Sequence, residues 1–308
     1  MTKLTSLSEA VTSILPGSHV ALSGFAITRC TMAFAHEVIR QEIKGLTISQ
    51  CLGGMDTDML VGAGAVDRLI YGGGSLDRFG GLAFVNAGIE NGSLKAELYS
   101  SLSVTFRFLA GSLGLPFIPI RSLVGSDVLA QLEERAGSDI AYVTDPFSGD
   151  RWLTLKPLVP DVAIVQVQTA DEEGNSVILG PKWDNAEMVR AAKRTIIIAE
   201  HIVPGDVIRR QPELCAIPGL LVSHVVDLPF AAHPTCMYRE YDYDADEIKR
   251  YVEAQKTPQK LREYLDKYVY GAKDHREYLE RVGGLRRLRT LQADPILGYL
   301  AIRMTTYE

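Results

Sequence analysis

Glycine stands at the end of three apolar runs in the first quarter of the chain: HVALSGF (19–25), LTISQCLGG (46–54) and RLIYGGGS (68–75). Ser23, Gly24 and Phe25 close the first, Gly53 and Gly54 the second, and Gly72, Gly73, Gly74 and Ser75 the third. Glycine lets backbone N–H groups approach a bound group because no Cβ intervenes. A set of such N–H groups beside a hydroxyl suits a carboxylate or thioester oxygen. Each run is strand-length and rich in Val, Ile, Leu or Tyr, with a helical pattern after it. Ligands of open α/β sheets bind beyond the carboxyl ends of the strands, so the three glycine ends are read as one wall of a pocket.

The supporting elements follow from periodicity. Residues 31–40 (TMAFAHEVIR) carry a broad apolar helical face. Short helices are expected over 55–61 and 82–90, a strand over 94–100, and a helix over 101–113 capped by Ser100 or Ser101. Further on, 145–152 reads as a turn into a strand, and 162–168 with 176–180 as a hairpin-like pair about the turn DEEGN. A helix over 185–194, strands over 195–201 and 222–227, and three short charged helices over 245–291 complete the pattern. The expected fold is α/β, an open and mainly parallel sheet flanked by helices, with a helical C-terminal extension over 245–308. With no long polar linker and no repeat, residues 1–308 read as one domain.

Composition excludes several functions. With 32 Lys and Arg against 38 Asp and Glu, the net charge is −6, unlike the clustered basic face that nucleic acid requires. The basic stretch RVGGLRRLR (281–289) is interleaved with leucine and reads as a solvated or subunit-facing helix. No apolar stretch reaches the roughly 20 residues of a membrane span, and no secretory leader pattern opens the chain, so a cytoplasmic protein is expected. The four cysteines, Cys30, Cys51, Cys215 and Cys236, lack paired spacing and read as reduced thiols. His233 and Cys236 lack the further ligands of a zinc site, and no metal is expected. Nucleotide-binding glycine signatures and the G-x-S-x-G elbow are absent.

Taken together, VALSGFAITR (20–29), HEVIRQEIKGLT (36–47), DMLVGAGAV (58–66), AGSLGLPFIPIRSLVGSD (110–127), DVAIVQVQTADEEGN (161–175), AAHPTCMYREYDYD (231–244) and KDHREYL (273–279) resemble the α subunits of family I coenzyme A transferases, most closely those of the glutaconate type. The resemblance runs nearly end to end. It implies a partner, the homologous β subunit, in a heterodimer or an α2β2 assembly with the active site between the two. It implies a CoA thioester and a short acid, dicarboxylic and glutaconate-like, as substrates, with no permanently bound cofactor. It also places the nucleophilic glutamate on the β subunit, where it must be reactive yet screened from water.

The resemblance sorts the polar residues of this chain. Gly72–Gly74 and Ser75 correspond to the region that contacts the acyl group. Arg29 matches an arginine able to bind a distal carboxylate in a forked pair or to meet the partner, although Arg29-Cys30-Thr31 stands where the family has Arg-Lys-Pro. Glu97, ahead of Tyr-Ser, matches an acidic residue that lines the interface or is a hydrogen-bonded structural acid. IENG (89–92) echoes the nucleophile sequence of some β subunits, but Glu90 follows a helical stretch, and a helix ending at Gly92 is expected. Gln168 is a ligand or strand-end backbone partner, and His233 a hydrogen-bonded structural histidine. Two rival functions share these residues: a CoA-thioester decarboxylase or hydrolase on the same fold and pairing, and a non-catalytic metabolite-sensing domain.

Overall fold

The computed structural model describes residues 2–299 apart from 136, 138, 295 and 297. Helix α1 (Leu7–Thr12) begins at a capping box: Glu9 N–H donates to Ser6 Oγ at 3.2 Å and Ser6 N–H to Glu9 Oε2 at 3.0 Å. The chain continues through β1 (His19–Leu22), α2 (Met32–Arg40), β2 (Leu46–Gln50), α3 (Met55–Gly62), β3 (Val66–Tyr71), α4 (Ala83–Glu90), β4 (Lys95–Leu98) and α5 (Ser101–Ser112). Ser100 caps α5, its Oγ accepting Ser103 N–H at 3.1 Å, which selects between the two serines proposed from sequence. Next come β5 (Ile118–Ile120), α6 (Asp127–Glu134), β6 (Ile140–Thr144), β7 (Arg151–Leu155), β8 (Val162–Ala170), β9 (Ser176–Val177), α7 (Asn185–Ala191), β10 (Thr195–Ile202), α8 (Gly205–Arg209), β11 (Cys215–Ile217) and β12 (His224–Asp227).

Strands β12, β10, β8, β1, β2, β3 and β4 lie side by side in that order, all parallel. The hairpin-like pair expected from sequence is present: β9 runs antiparallel to the far end of β8, with Thr169 opposite Val177. Strand β8 is buried along nearly its whole length, the pattern of a central parallel strand. Its even residues Val162 and Ile164 join Val20, Leu22, Ile48, Leu69 and Ile198 in one core. Its odd residues Ala163, Val165 and Val167 join Ala21, Ile70 and Ile197 in the core on the other face, under Val104 and Phe108 of α5.

Several expectations are corrected. A second, antiparallel sheet of order β5-β7-β6 is present, of which only the turn into β7 was read from sequence. A proline within β5 and the shortness of its run hide that strand. The last strand begins at His224 because Gly219–Leu221 forms a 3₁₀ turn. The C-terminal region holds four α-helices among the described residues instead of three, α9 (Ala245–Ala254), α10 (Pro258–Leu265), α11 (His275–Arg281) and α12 (Gly284–Leu291), with a π turn over Asp266–Tyr270. Residues 300–308 of the expected tail lie outside the described residues. No helix among the described residues is long and apolar enough to cross a membrane.

Candidate active site

The chain leaves β1 toward β2 on one side of the sheet and leaves β8 toward β10 on the other. The crevice where such connections part is the ligand position of open α/β sheets. Beyond Ile48, Ile164 and Ile198, each on its own strand, the next residues on the same face are Gln50, Gln166 and Glu200. All three are buried. Gln50 Nε2–H donates to Ser23 O at 3.0 Å, and Thr57 Oγ1–H donates to Gln50 Oε1. Gln166 N–H donates to Ser23 Oγ at 3.0 Å, and Gln166 Nε2–H to Glu200 Oε1 at 2.9 Å. Tyr241 O–H donates to the same Oε1 at 2.7 Å, and Phe230 N–H to Glu200 Oε2 at 2.5 Å.

Burial drives the Glu200 carboxyl up to about 8, with Glu240 adding to the rise and the bonds from Tyr241, Phe230 and Gln166 opposing it. The folded state therefore holds this proton more tightly than the unfolded chain. The associated stability is complete below about pH 4 and is lost as pH rises toward 8. Glu200→Gln keeps the shape and removes the charge. The variant is expected to exceed the wild type by roughly 2–4 kcal/mol at pH 8.5 and to match it near pH 5, read from urea midpoints. Parallel pH dependences would refute the assignment.

The glycine ends of β2 and β3 are joined by backbone bonds, Gly53 N–H to Gly73 O at 2.8 Å and Ser75 N–H to Gly53 O at 3.2 Å. Gly53 and Gly54 are buried, and the Gly54 α-carbon is pressed against the Ala26 carbonyl. A Cβ on Gly72 would come within 2.6 Å of Ser101 N, so these two glycines serve close chain approach. Gly73, at φ +111°, faces open space apart from Leu52 Cδ1 at 3.4 Å, and Gly74 is exposed. Ser75 Oγ accepts Asp77 N–H at 2.8 Å. The part of the wall open to a ligand is thus Gly73 to Ser75.

Ser23, Gly24 and Phe25 begin the turn that ends at Arg29, with Ala26 and Arg29 in the left-handed region at φ +56° and +57°. Phe25 pairs with Leu52 and its ring is stacked on Trp183, centroids 5.2 Å apart and planes at 9°. The Arg29 side chain is buried: Nη2–H donates to Pro181 O at 2.9 Å and Nη1–H to Gln166 O at 3.5 Å. Burial lowers its pKa to about 10 despite the nearby Asp184. Asp184 is itself buried, and burial raises its carboxyl to about 6.

The remaining expected residues lie apart from this crevice or are used internally. Glu97 is on the opposite face of the sheet, where Arg68 Nε–H donates to its Oε1 at 2.8 Å and Arg135 lies 3.8 Å away. Its side chain is held in an ion-pair cluster. Glu90 is the exposed last residue of α4, with Asn91 capping and Gly92 at φ +74°. Gln168 meets backbone only, Nε2–H donating to Leu179 O and Tyr238 O and Oε1 accepting Leu179 N–H at 3.0 Å. His233 is buried between Tyr278 Oη at 2.8 Å and Asp244 Oδ2 at 3.2 Å. Gln50, Gln166, Glu200, Tyr241 and Trp183 escaped the sequence reading. For the first three the available signal was a polar Gln or Glu at or beyond the middle of each of three largely buried strands.

Comparison with known proteins finds relatives over most of the chain. The model of the coenzyme A transferase family matches residues 4–228. An uncharacterized protein of Archaeoglobus fulgidus is 38% identical over 94% of this chain, which spans 64% of that protein's length. The A-type subunit of glutaconate CoA-transferase from Acidaminococcus fermentans is 34% identical, with 97% of both chains covered. The A-type subunit of 3-oxoadipate CoA-transferase from Pseudomonas knackmussii is 29% identical over 92% of this chain and 99% of its own. The Acidaminococcus glutaconate enzyme's crystal structure superimposes with a TM-score of 0.92, covering 98% of this chain and 100% of that one. The AibA/AibB decarboxylase superimposes at 0.75 with 29% identity, over 86% and 100%. The chain belongs to the coenzyme A transferase family.

Proposed function

We propose that this chain is the A-type subunit of a two-subunit CoA-transferase that moves CoA between an acyl thioester and a short dicarboxylic acid. The observation that carries the reading is a glycine wall beside a crevice whose carboxyls, Glu200 and Asp184, are buried. Among the described residues, Glu200 is buried and hydrogen-bonded, Asp184 is buried behind Trp183, and Asp56 is buried with Thr31 N–H and Oγ1–H on its Oδ2 at 2.8 and 2.9 Å. A covalent route needs an accessible carboxylate, so the nucleophile comes from a homologous B-type subunit facing the crevice.

The proposed chemistry balances as two exchanges. The partner's glutamate oxygen attacks the acyl carbonyl and expels the CoA thiolate, which then attacks the glutamyl carbonyl and releases the acid. The second acid reverses both steps. The fold would take part as one unit, because Ile248, Tyr251, Leu261 and Tyr278 of the C-terminal helices share a core with β1 and β2. The dicarboxylic substrate rests on the likeness to the glutaconate and 3-oxoadipate transferases, and a cytoplasmic location suits a CoA-dependent reaction. Decarboxylation of a CoA thioester is the alternative that the AibA/AibB likeness favours.

In the test, this chain is combined with a homologous B-type partner, and acyl exchange and carbon dioxide release are followed together. Exchange by the pair and none by the isolated chain is the expected result. Turnover by the isolated chain would sink the pairing, and carbon dioxide release without exchange would sink the transfer.

A further inference from the structure

The turn between β9 and α7 reaches over the crevice from the β8 side. Two of its residues are in the left-handed region, Gly180 at φ +79° and Trp183 at φ +44°. A bulky aromatic residue is rare there, and such conformations gather at ligand sites. Trp183 is half-buried, lying flat on Phe25 on one side. The Arg29 guanidinium carbon is 4.9 Å from the indole ring centroid.

Arg29 fixes that arrangement from beneath. Its two hydrogen bonds run to Pro181 O in the turn and Gln166 O on β8, so one planar group ties the turn to the sheet while stacking on the indole. The turn is held elsewhere by Gln168, which bonds both backbone groups of Leu179, and by Asn185 N–H donating to Lys182 O at 3.1 Å. Asp184, at the start of α7, makes no side-chain cap, and Asp184 Oδ2 and Asn185 Oδ1 are buried without a hydrogen-bond partner. The Trp183 ring itself meets Arg29 and Phe25.

The aromatic pair adjoins the open glycines. Phe25 pairs with Leu52, and the next residue, Gly53, pairs with Gly74. A flat aromatic wall beside the Gly73–Ser75 edge fits the carbon chain of a thioester, whereas a carboxylate end would find only the single indole Nε1–H as a donor on these two rings. Arg29, 1% exposed and committed to two carbonyls, is not placed to supply them.

We propose that Trp183 is a specificity-determining residue that lies against the carbon chain of the bound acyl thioester, and that Arg29 is the positioning residue that sets its plane. This rests on the CoA-thioester reading above. It replaces a direct contact of Arg29 with a distal carboxylate by an indirect role through the indole.

The sequence contains two tryptophans, so Trp152→Phe, in a complex whose partner subunit has its own tryptophans replaced by phenylalanine, leaves Trp183 as the sole indole reporter. In that background the assembled two-subunit protein is titrated with butyryl-CoA and with the free acid, while exchange is assayed in parallel. Trp183 emission is expected to shift with butyryl-CoA. Trp183→Ala is expected to raise KM for the thioester about tenfold, a loss of about 1.4 kcal/mol, with kcat within about twofold, and to raise KM for the acid in the same direction, because the acid's carbon chain takes the same place when it reverses the exchange. Arg29→Lys keeps the charge but not the fork, and should move the emission maximum and raise the same KM. Trp183→Phe serves if the alanine variant does not fold. Exchange at wild-type KM in the Trp183 variants, or unchanged emission at saturating butyryl-CoA, overturns the proposal while leaving the transfer reading intact. Should exchange be absent, an emission response to butyryl-CoA upholds the Trp183 contact alone, and no response removes both.

Discussion

Gly54→Ala is expected to destabilise the chain by about 3 kcal/mol or more, although alanine accepts the backbone angles of this position. Gly54 precedes α3 at φ −125° and ψ −160°, an extended conformation open to any residue. The cost lies in the Cβ, which would overlap the Ala26 carbonyl and fall 2.6 Å from Cys30 Sγ. Neither neighbour has room to withdraw. Ala26 is fixed at φ +56°, and its carbonyl already accepts the Cys30 thiol at 3.0 Å. The β1 turn and the start of α3 would have to separate, with a fall in melting temperature of roughly 5 °C or more. Gly73→Ala is the contrast: its Cβ meets only Leu52, so the cost is the left-handed strain of about 1–2 kcal/mol. Equal urea midpoints for Gly54→Ala and the wild type would show that the turn is soft.

Asp244→Ala is expected to cost about 3–5 kcal/mol, through removal of one carboxylate that serves three purposes. Arg287 forks onto it, Nε–H to Oδ2 at 2.9 Å and Nη2–H to Oδ1 at 2.5 Å. Its Oδ1 also caps α9, accepting Asp246 N–H at 3.1 Å and Glu247 N–H at 3.2 Å. Oδ2 is the partner of buried His233, which would be left without it. Burial opposes ionisation of Asp244, but the bonds and charges of Arg287 and His233 outweigh it and hold the carboxyl well below the usual range. This stability is present above about pH 4 and is lost as pH falls through the depressed folded value. Denaturant titrations at pH 7 and pH 3 test both statements. A loss under about 1 kcal/mol at pH 7 would mean that solvent replaces the carboxylate.

The strand ends were legible because an apolar run that stops at glycine carries two signals at once, and both survive in β1, β2 and β3. Whether a glycine faces a ligand or another piece of chain was not legible. Gly54 and Gly73 are alike in the sequence, yet one is packed against a carbonyl from the β1 turn and the other opens outward. The placement of Arg29 was not legible for a related reason: nothing in the sequence shows that its long stem carries the guanidinium to Trp183, more than 150 residues away in the chain. Glu200 was invisible because its partner Gln166 comes from another strand, joined to it only by the β10 to β8 pairing, and Gln50 joins the row only through β1. The antiparallel sheet was missed because its strands are short and one contains proline.

The alternation within β8 makes length as consequential as composition. Val162 and Ile164 point into one core, and Gln166 and Gln168 continue on the same side, so the boundary between oil-like interior and polar crevice falls within a single strand. Deleting one residue from 162–165 would turn both amides toward Val104 and Phe108 and swing Val167 toward the crevice. Point substitutions can be absorbed one at a time along this strand. Insertions and deletions would exchange the two faces together, so variation in length belongs in the loops that precede and follow it.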